Sequence, residues 1–165
     1  YGAESIFQAI TETHADRLGH GYSLFDTNKI LDPSIKDKQA YVDDLSSFIA
    51  DKRIMIEICL TSNLQTNPEL EDIKNHSFGK MLEKRIATSL CTDNRLVSNT
   101  TVSNEIKLAL ENFEITPRIL KDIIAYGFTK GFYPGTYVEK RNYAKQVMNY
   151  YDSIAKKYNI EVDER

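Results

Sequence analysis

The sequence predicts an α/β fold in which parallel strands alternate with helices. Strand-like runs are separated by longer segments with helical spacing of apolar residues, which is typical of βαβ units. The middle run, residues 53–60, is almost continuously apolar, as in a strand covered on both faces. The polar segments after the runs recur about every 30 to 45 residues, a spacing that suits the βα units of a (β/α)8 barrel.

Each predicted element rests on a local pattern. Ile6, Phe7 and Ile10 form one apolar helical face, and Thr116 followed by Pro117 is a typical helix start. The predicted strands are residues 15–21, 53–60 and 86–92. The predicted helices are residues 3–13, 41–49, 77–84, 102–111, 117–126 and 137–158. Polar stretches with turn residues predict loops at residues 26–38 and 66–75.

The number of strands sets the expected domain organisation. A complete barrel of this type needs about 250 residues and eight strands, whereas the 165-residue chain offers three predicted strands. We therefore expect residues 1–165 to be the C-terminal part of a single barrel domain, three βα units plus terminal helices, whose N-terminal part is also required. A three-stranded α/β domain that stands alone is the alternative.

Composition narrows the class of partner. The formal net charge of −3 argues against a large nucleic-acid footprint and against attraction to an anionic membrane. No apolar stretch approaches the roughly 20 residues that span a bilayer. We expect a small-molecule ligand and a cytoplasmic location. Cys59 and Cys91 each lie in an apolar run, so buried and chemically inert thiols are expected.

Three polar clusters lie at or directly after the ends of the predicted strands, at residues 19–21, 61–63 and 92–94. Reactive groups of parallel barrels collect at these carboxyl ends, so His20 and Asp93 become candidate functional residues. Alternation along the third strand puts Ser89, Cys91 and Asp93 on one face and Leu90 on the other. We expect the small-residue face to point into the barrel and the apolar face to pack under helices.

Several segments, in order and at the family's spacing, resemble adenosine deaminases over the chain up to about Tyr133. They are ADRLGHG at residues 15–21, DKRI at 51–54, EIC at 57–59, TSNLQT at 61–66 and SLCTDNRL at 89–96. Leu60 and Asn67 depart from the proline and glycine usual in the family, which leaves the loop shape open. The resemblance implies a (β/α)8 barrel with one catalytic Zn²⁺.

The resemblance also implies roles for individual residues. Asp93 corresponds to the family's zinc-ligating aspartate, and His20 to the histidine that orients the attacking water. Asn94 corresponds to the residue that contacts the purine ring. For Ser62 and Asn63, supporting contacts around the ligand and simple loop hydrogen bonds are equally favoured. The HxH pair of zinc ligands and the HAGE motif, with a third ligand histidine and a proton-donating glutamate, do not occur in the chain.

The activity that the resemblance implies is zinc-dependent hydrolysis of adenosine and deoxyadenosine to their inosine products and ammonia. Two alternatives stay open. One is a deaminase of another adenine compound, such as adenine, an aminodeoxyfutalosine-type nucleoside or an N6-substituted adenine. The other is a catalytically inactive barrel or interaction domain. An HxH and an HAGE motif upstream would distinguish an enzyme from an inactive relative. His14, His76 and the tyrosines of the last helix are interpreted as structural residues.

Overall fold

The computed structural model describes residues 2–162, and these divide into two compact units, residues 2–113 and residues 114–162. Among the described residues, the first unit holds a three-stranded parallel sheet and six α-helices, and the second holds two α-helices. The strands are β1 (Arg17–Gly19), β2 (Met55–Ile58) and β3 (Thr88–Leu90). Parallel strands that alternate with helices confirm the predicted α/β class.

All six predicted helices are present, with ends within three residues of the prediction. The first unit contains α1 (Ala3–Glu12), α2 (Lys38–Asp51), α3 (Leu60–Thr66), α4 (Phe78–Glu83), α5 (Arg95–Ser98) and α6 (Val102–Asn112). The second unit contains α7 (Pro117–Thr129) and α8 (Tyr137–Lys157). Short 3₁₀ helices lie at Tyr22–Phe25, Thr27–Lys29 and Ile73–Asn75, so two of them fall within segments predicted as loops.

One face of the sheet is apolar and buried. Strand β2 is central, with Ile56 paired to Leu18 and Thr88, and Ile58 paired to Leu90. Paired residues of parallel strands point to the same side, and all five side chains are at most 8% exposed. The predicted burial of the apolar face of β3 is therefore confirmed.

The opposite face carries smaller and polar side chains. Glu57 of β2 pairs with Gly19 and Ser89, and both Glu57 and Cys91 remain partly exposed. This is the face expected to line a barrel interior. That assignment stays a prediction, because the sheet of the described residues has three strands.

Helices supply the rest of the core in the first unit. Val42, Leu45 and Ile49 recur at helical spacing along α2 and are all buried, as the apolar pattern predicts. Phe78 at the start of α4 is fully buried, and the edge of its ring meets Phe113 at 5.0 Å between centroids. Burial of each such side chain contributes about 1.5–3 kcal/mol.

The prediction for the end of the middle strand is wrong. Strand β2 ends at Ile58, and Leu60 is already the first residue of α3. Leu60 is fully buried, so the apolar run continues in sequence although the backbone has become helical. Residues 61–63 therefore lie in the first turns of a helix rather than in a loop. The third strand is also shorter than residues 86–92, since its ladder covers only Thr88–Leu90.

The second unit is a pair of packed helices. Pro117 is the first residue of α7, and the side chain of Thr116 accepts a hydrogen bond from the Ile119 N–H, which confirms the predicted helix start. The Tyr151 hydroxyl of α8 donates to the Pro117 carbonyl at 2.7 Å. Within residues 2–162, no helix is long and apolar enough to cross a lipid bilayer.

Candidate active site at the strand ends

The carboxyl ends of the three strands carry the candidate residues. β1 leads into His20, β2 leads through Cys59 into α3 with Ser62, and β3 leads through Cys91 and Thr92 into Asp93. Because the strands are parallel and adjacent, their carboxyl ends lie at the same edge of the sheet. The tertiary structure brings His20, Ser62 and Asp93 together there.

A tight turn fixes the position of His20. Its N–H donates to the Glu57 carbonyl at 2.9 Å, which extends the strand ladder by one bond. His20 then adopts a left-handed backbone with φ of 60°, and Gly21 follows with φ of 55°. A Cβ at Gly21 would lie 2.8 Å from Cγ2 of Ile56, so only glycine fits this turn. The chain reverses sharply and leaves the imidazole 44% exposed at the sheet edge.

Asp93 is the centre of the cluster. The Ser62 hydroxyl donates to Oδ2 of Asp93 at 2.7 Å, and Nε2 of His20 lies 3.8 Å from the same oxygen. The latter distance is an electrostatic contact rather than a hydrogen bond. The Ser62 hydroxyl, together with the Asn94 N–H and His20, holds the pKa of Asp93 below its ordinary value. The carboxylate is thus ionised and partly oriented before any ligand binds.

Glu105 of α6 holds the helix that carries Ser62. It is fully buried and accepts hydrogen bonds from the Thr61 N–H at 3.2 Å, the Thr61 hydroxyl, and the Thr100 hydroxyl at 2.8 Å. These bonds satisfy a donor in the first turn of α3 that has no partner within the helix. The sequence carries no signal for the burial of Glu105, because a glutamate within an amphipathic helix is ordinarily solvent-exposed.

Asn94 lies next to the cluster and caps α5. Its Oδ1 accepts a hydrogen bond from the Val97 N–H at 3.2 Å. The cap uses the amide oxygen and leaves the NH₂ group as the donor of this side chain. The helix cap that the structure shows and the purine contact that the resemblance implies can therefore be made by Asn94 at the same time.

Asn63 does not contact Asp93 but is bonded to a buried histidine. Its Oδ1 lies 3.3 Å from Nε2 of His76, and Nδ1 of His76 accepts a hydrogen bond from the Phe78 N–H at 3.0 Å. Burial first, and then the nearby His20, lowers the pKa of His76 to about 4. His76 is thus neutral at neutral pH. The sequence placed it before a helix, where it is, but carried no signal for its burial beside the strand ends.

Arg17 and Glu57 form an ion pair on the partly exposed face of the sheet. The Nε of Arg17 donates to Oε1 of Glu57 at 2.9 Å, and both side chains are about three-quarters buried. A lone carboxylate within an apolar strand was the one sequence signal for such a pair, since a buried charge needs a partner.

The two thiols are unsuited to nucleophilic chemistry. Cys59 is buried and Cys91 half-buried, and neither forms a disulfide. Burial raises the pKa of Cys59 to about 12 and raises that of Cys91 as well. Both thiols are protonated at neutral pH, in agreement with the expected inert state.

The donor groups of the cluster fit part of a zinc site. Within residues 2–162, no group of three or more histidine, cysteine or acidic side chains is placed to hold a metal ion. Asp93 supplies an ionised carboxylate, which is a zinc-ligand type. Nδ1 of His20 is buried and has no hydrogen-bond partner among the described residues. The chain thus provides one carboxylate and an adjacent histidine, and a complete site needs further ligands.

Several known proteins are similar to this chain in sequence or in fold. The adenosine deaminase of Mycobacteroides abscessus is 40% identical over 113 residues, which are 68% of this chain and 30% of that protein. An adenine deaminase from Arthrobacter aurescens superposes with a TM-score of 0.70 at 15% identity, over 91% of this chain and 40% of that one. An amidohydrolase from Burkholderia ambifaria, solved with bound Zn, has a TM-score of 0.68 at 18% identity, over 93% of this chain and 39% of that one.

At these identities the solved structures show a shared fold, and the chain spans less than a third of the curated relative. The family assignment has broader support. The family model for adenosine deaminase matches residues 1–150, which is nearly the whole chain. The chain belongs to the adenosine deaminase family.

Proposed function

We propose that this chain supplies one side of the active site of a zinc-dependent adenosine deaminase. The observation that carries the proposal is the meeting of His20, Ser62 and Asp93 at the carboxyl ends of three parallel strands. The reaction is hydrolysis of adenosine or deoxyadenosine to the inosine product and ammonia. Residues 1–165 then form the C-terminal part of a single (β/α)8 barrel domain, and activity requires the N-terminal part as well.

Asp93 is the proposed zinc ligand. The Ser62 hydroxyl bonds Oδ2 of Asp93, and this bond orients the carboxylate that would hold the metal ion. When bound, zinc lowers the pKa of a coordinated water to about 7 and so makes a nucleophile available at neutral pH. The remaining ligands, which the family supplies from histidines, come from the part of the protein outside this chain.

His20 is the proposed orienting group for the attacking water. Its Nε2 lies 3.8 Å from Oδ2 of Asp93, so a water that contacts the carboxylate is within reach of the imidazole. The tight turn at Gly21 fixes the backbone of His20 and so restricts where its ring can lie. A hydrogen bond from His20 would then fix the direction of attack on C6 of the purine ring and stabilise the negative charge on the attacking oxygen.

Asn94 is the proposed contact to the purine ring. Because the Asn94 oxygen accepts the Val97 N–H, the NH₂ group is the part of the side chain that the helix cap leaves unused for a ligand. A donor at this position matches N7 of the purine, which is an acceptor. This contact orients the base and does not take part in proton transfer.

The curated relative is named adenosine deaminase, which places adenosine first among adenine compounds. Adenine, aminodeoxyfutalosine-type and N6-substituted compounds are the enzyme alternatives. The residues that select the ribose and its 5′ group would lie largely outside this chain. Within it, Asn94 contacts only the base and does not separate these substrates.

The test uses the full-length protein that contains this chain, loaded with zinc, and follows the ultraviolet absorbance change as adenosine becomes inosine. We expect conversion by the parent and a loss of about 100-fold or more in kcat for His20→Asn, since general acid–base and orienting groups contribute about 10²–10⁴-fold. Asparagine tolerates the left-handed backbone of residue 20. His14→Asn is the matched control, because His14 is exposed and also has a positive φ.

If the protein converts adenine or an N6-substituted compound but not adenosine, the proposed substrate is wrong and the proposed site residues still stand. No reaction with any of them in the zinc-loaded full-length protein would overturn the proposed enzyme and favour an inactive relative.

A further inference from the structure

His76 lies between two segments of the candidate site and is only 2% exposed. It follows the 3₁₀ helix Ile73–Asn75 and precedes α4. The proposed reaction does not use it, yet both ring nitrogens are bonded and its ring contacts an aromatic residue. A buried, fully bonded polar residue of this kind specifies local geometry.

The hydrogen bonds determine the tautomer of His76. A backbone N–H can only donate, so the bond from Phe78 makes Nδ1 of His76 an acceptor. The proton of the neutral ring is therefore on Nε2, which donates to Oδ1 of Asn63 at 3.3 Å. Asn63 is itself 7% exposed and follows Ser62 in α3. One ring nitrogen thus serves the start of α4, and the other serves the helix that carries Ser62.

The ring of His76 also touches the segment that carries His20. Tyr22 meets it edge to face, with 5.0 Å between the centroids. Tyr22 begins the 3₁₀ helix Tyr22–Phe25, directly after the turn formed by His20 and Gly21. His76 is therefore the buried residue that contacts both the His20 segment, through Tyr22, and the Ser62 segment, through Asn63.

We propose that His76 is a positioning residue that sets the distance between His20 and the Ser62–Asp93 pair by holding Tyr22 and Asn63. The inference rests on the proposed function, since it assigns His76 to that same site. The hydrogen bonds of His76 go to Asn63 and Phe78 and its ring contacts Tyr22, so its effect on the site is exerted through these segments. The competing explanation is that His76 only begins α4 by accepting the Phe78 N–H.

Two substitutions separate these explanations because each keeps one of the two ring nitrogens. In His76→Asn, the amide oxygen stands at the bond distance of Nδ1, so the bond from Phe78 is kept and the donor to Asn63 is lost. In His76→Gln, the amide nitrogen stands at the bond distance of Nε2, so the donor to Asn63 is kept and the helix-start bond is lost. If His76 only initiates α4, His76→Asn should be the more stable and the more active of the two variants. If His76 is a positioning residue, His76→Gln should be the more active variant.

The experiment measures kcat/KM for adenosine, zinc affinity by competition with a chelator, and melting temperature in the full-length protein. Loss of a residue that supports a metal ligand reduces metal affinity or activity by about 10–100-fold. We expect His76→Asn to lose at least about 10-fold in both kcat/KM and zinc affinity, and His76→Gln to stay within about threefold of the parent. The His14→Asn variant controls for removal of a histidine that the site does not use.

The relative activity and zinc affinity of the two variants distinguish the positioning role from helix initiation. If His76→Asn keeps parental activity and zinc affinity, or if both variants lose function only in proportion to their folded fraction, the positioning role is refuted. Zinc affinity keeps this test independent of the substrate. If the parent does not deaminate adenosine, the proposed function fails, while the affinities of the two variants still support or refute the role of His76.

Discussion

Removal of the Ser62 hydroxyl tests the geometry of the site most directly. In Ser62→Ala, Oδ2 of Asp93 loses the hydrogen bond that it accepts at 2.7 Å, and no other contact of the carboxylate changes. We expect weaker zinc binding by the full-length protein. The pKa of Asp93 should rise towards its ordinary value, because the Ser62 bond is the largest cause of its depression.

The size of the effect follows from the bond type and the exposure of the carboxylate. A hydrogen bond to a charged group contributes about 1.5–3 kcal/mol. The bond is present with and without zinc, so only the orientation that it gives the carboxylate is lost from zinc binding. The Asp93 side chain is also 41% exposed, so water replaces part of the bond, and the cost to zinc binding should lie near or below the low end, at about 1–1.5 kcal/mol. That free energy corresponds to about 5- to 12-fold weaker zinc binding.

The assay is chelator competition for zinc at several pH values. A depressed carboxylate pKa favours metal binding above that pKa, and the advantage is lost as pH falls, because protons then compete with the metal. The deficit of Ser62→Ala should therefore be constant near neutral pH, where both carboxylates are ionised, and should grow only as the pH approaches the ordinary aspartate pKa of about 4. Ser47→Ala is the control, since Ser47 is an exposed serine of α2 that bonds only the Asp43 carbonyl.

The reasoning is refuted if Ser62→Ala binds zinc as tightly as Ser47→Ala at every pH. Ser62→Thr, which keeps a hydroxyl group, should restore most of the affinity.

Three further predictions concern stability and binding. The free energy of unfolding should fall on the order of 3 kcal/mol as pH drops from about 6.5 to about 4, because unfolded His76 takes up a proton that the buried ring does not. In His76→Gln, stability measured by thermal unfolding should depend less on pH over this range. Glu105→Ala should cost about 3 kcal/mol in denaturant unfolding, because it leaves buried donors unsatisfied, whereas the exposed Glu111→Ala should cost under about 0.5 kcal/mol. Asn94→Ser should keep the α5 cap and the melting temperature but raise KM, whereas Asn94→Ala should lose both the cap, about 1 kcal/mol, and the substrate contact.

Each of these has a contrary result. The same acid slope in the parent and in His76→Gln would show that other groups control it. Equal costs for the two glutamate variants would mean that Glu105 does not support α3. A parental KM in Asn94→Ser would remove Asn94 from the substrate site and leave it as a helix cap.

The sequence predicted the order of elements because each signal is local. The apolar spacing of Val42, Leu45 and Ile49 and the Thr116–Pro117 start both describe elements that the structure contains. The limit of such signals is visible at Leu60, where a continuous apolar run hides the change from strand to helix, since burial is the same in both. The strand-end rule predicted that the three polar clusters would meet at one edge of the sheet, and the resemblance to the family singled out His20 and Asp93 within them.

By itself, the sequence determined the fold class, the family and the identity of the candidate residues, because these depend on residue types and spacing along one chain. Tertiary structure decided which oxygen of Asp93 is occupied, that Asn63 serves His76 rather than Asp93, and that Glu105 is buried beneath α3. These facts join residues that are 13 to 44 positions apart. Such pairings depend on strand register and helix packing, and these produce no periodic pattern of residues in the sequence.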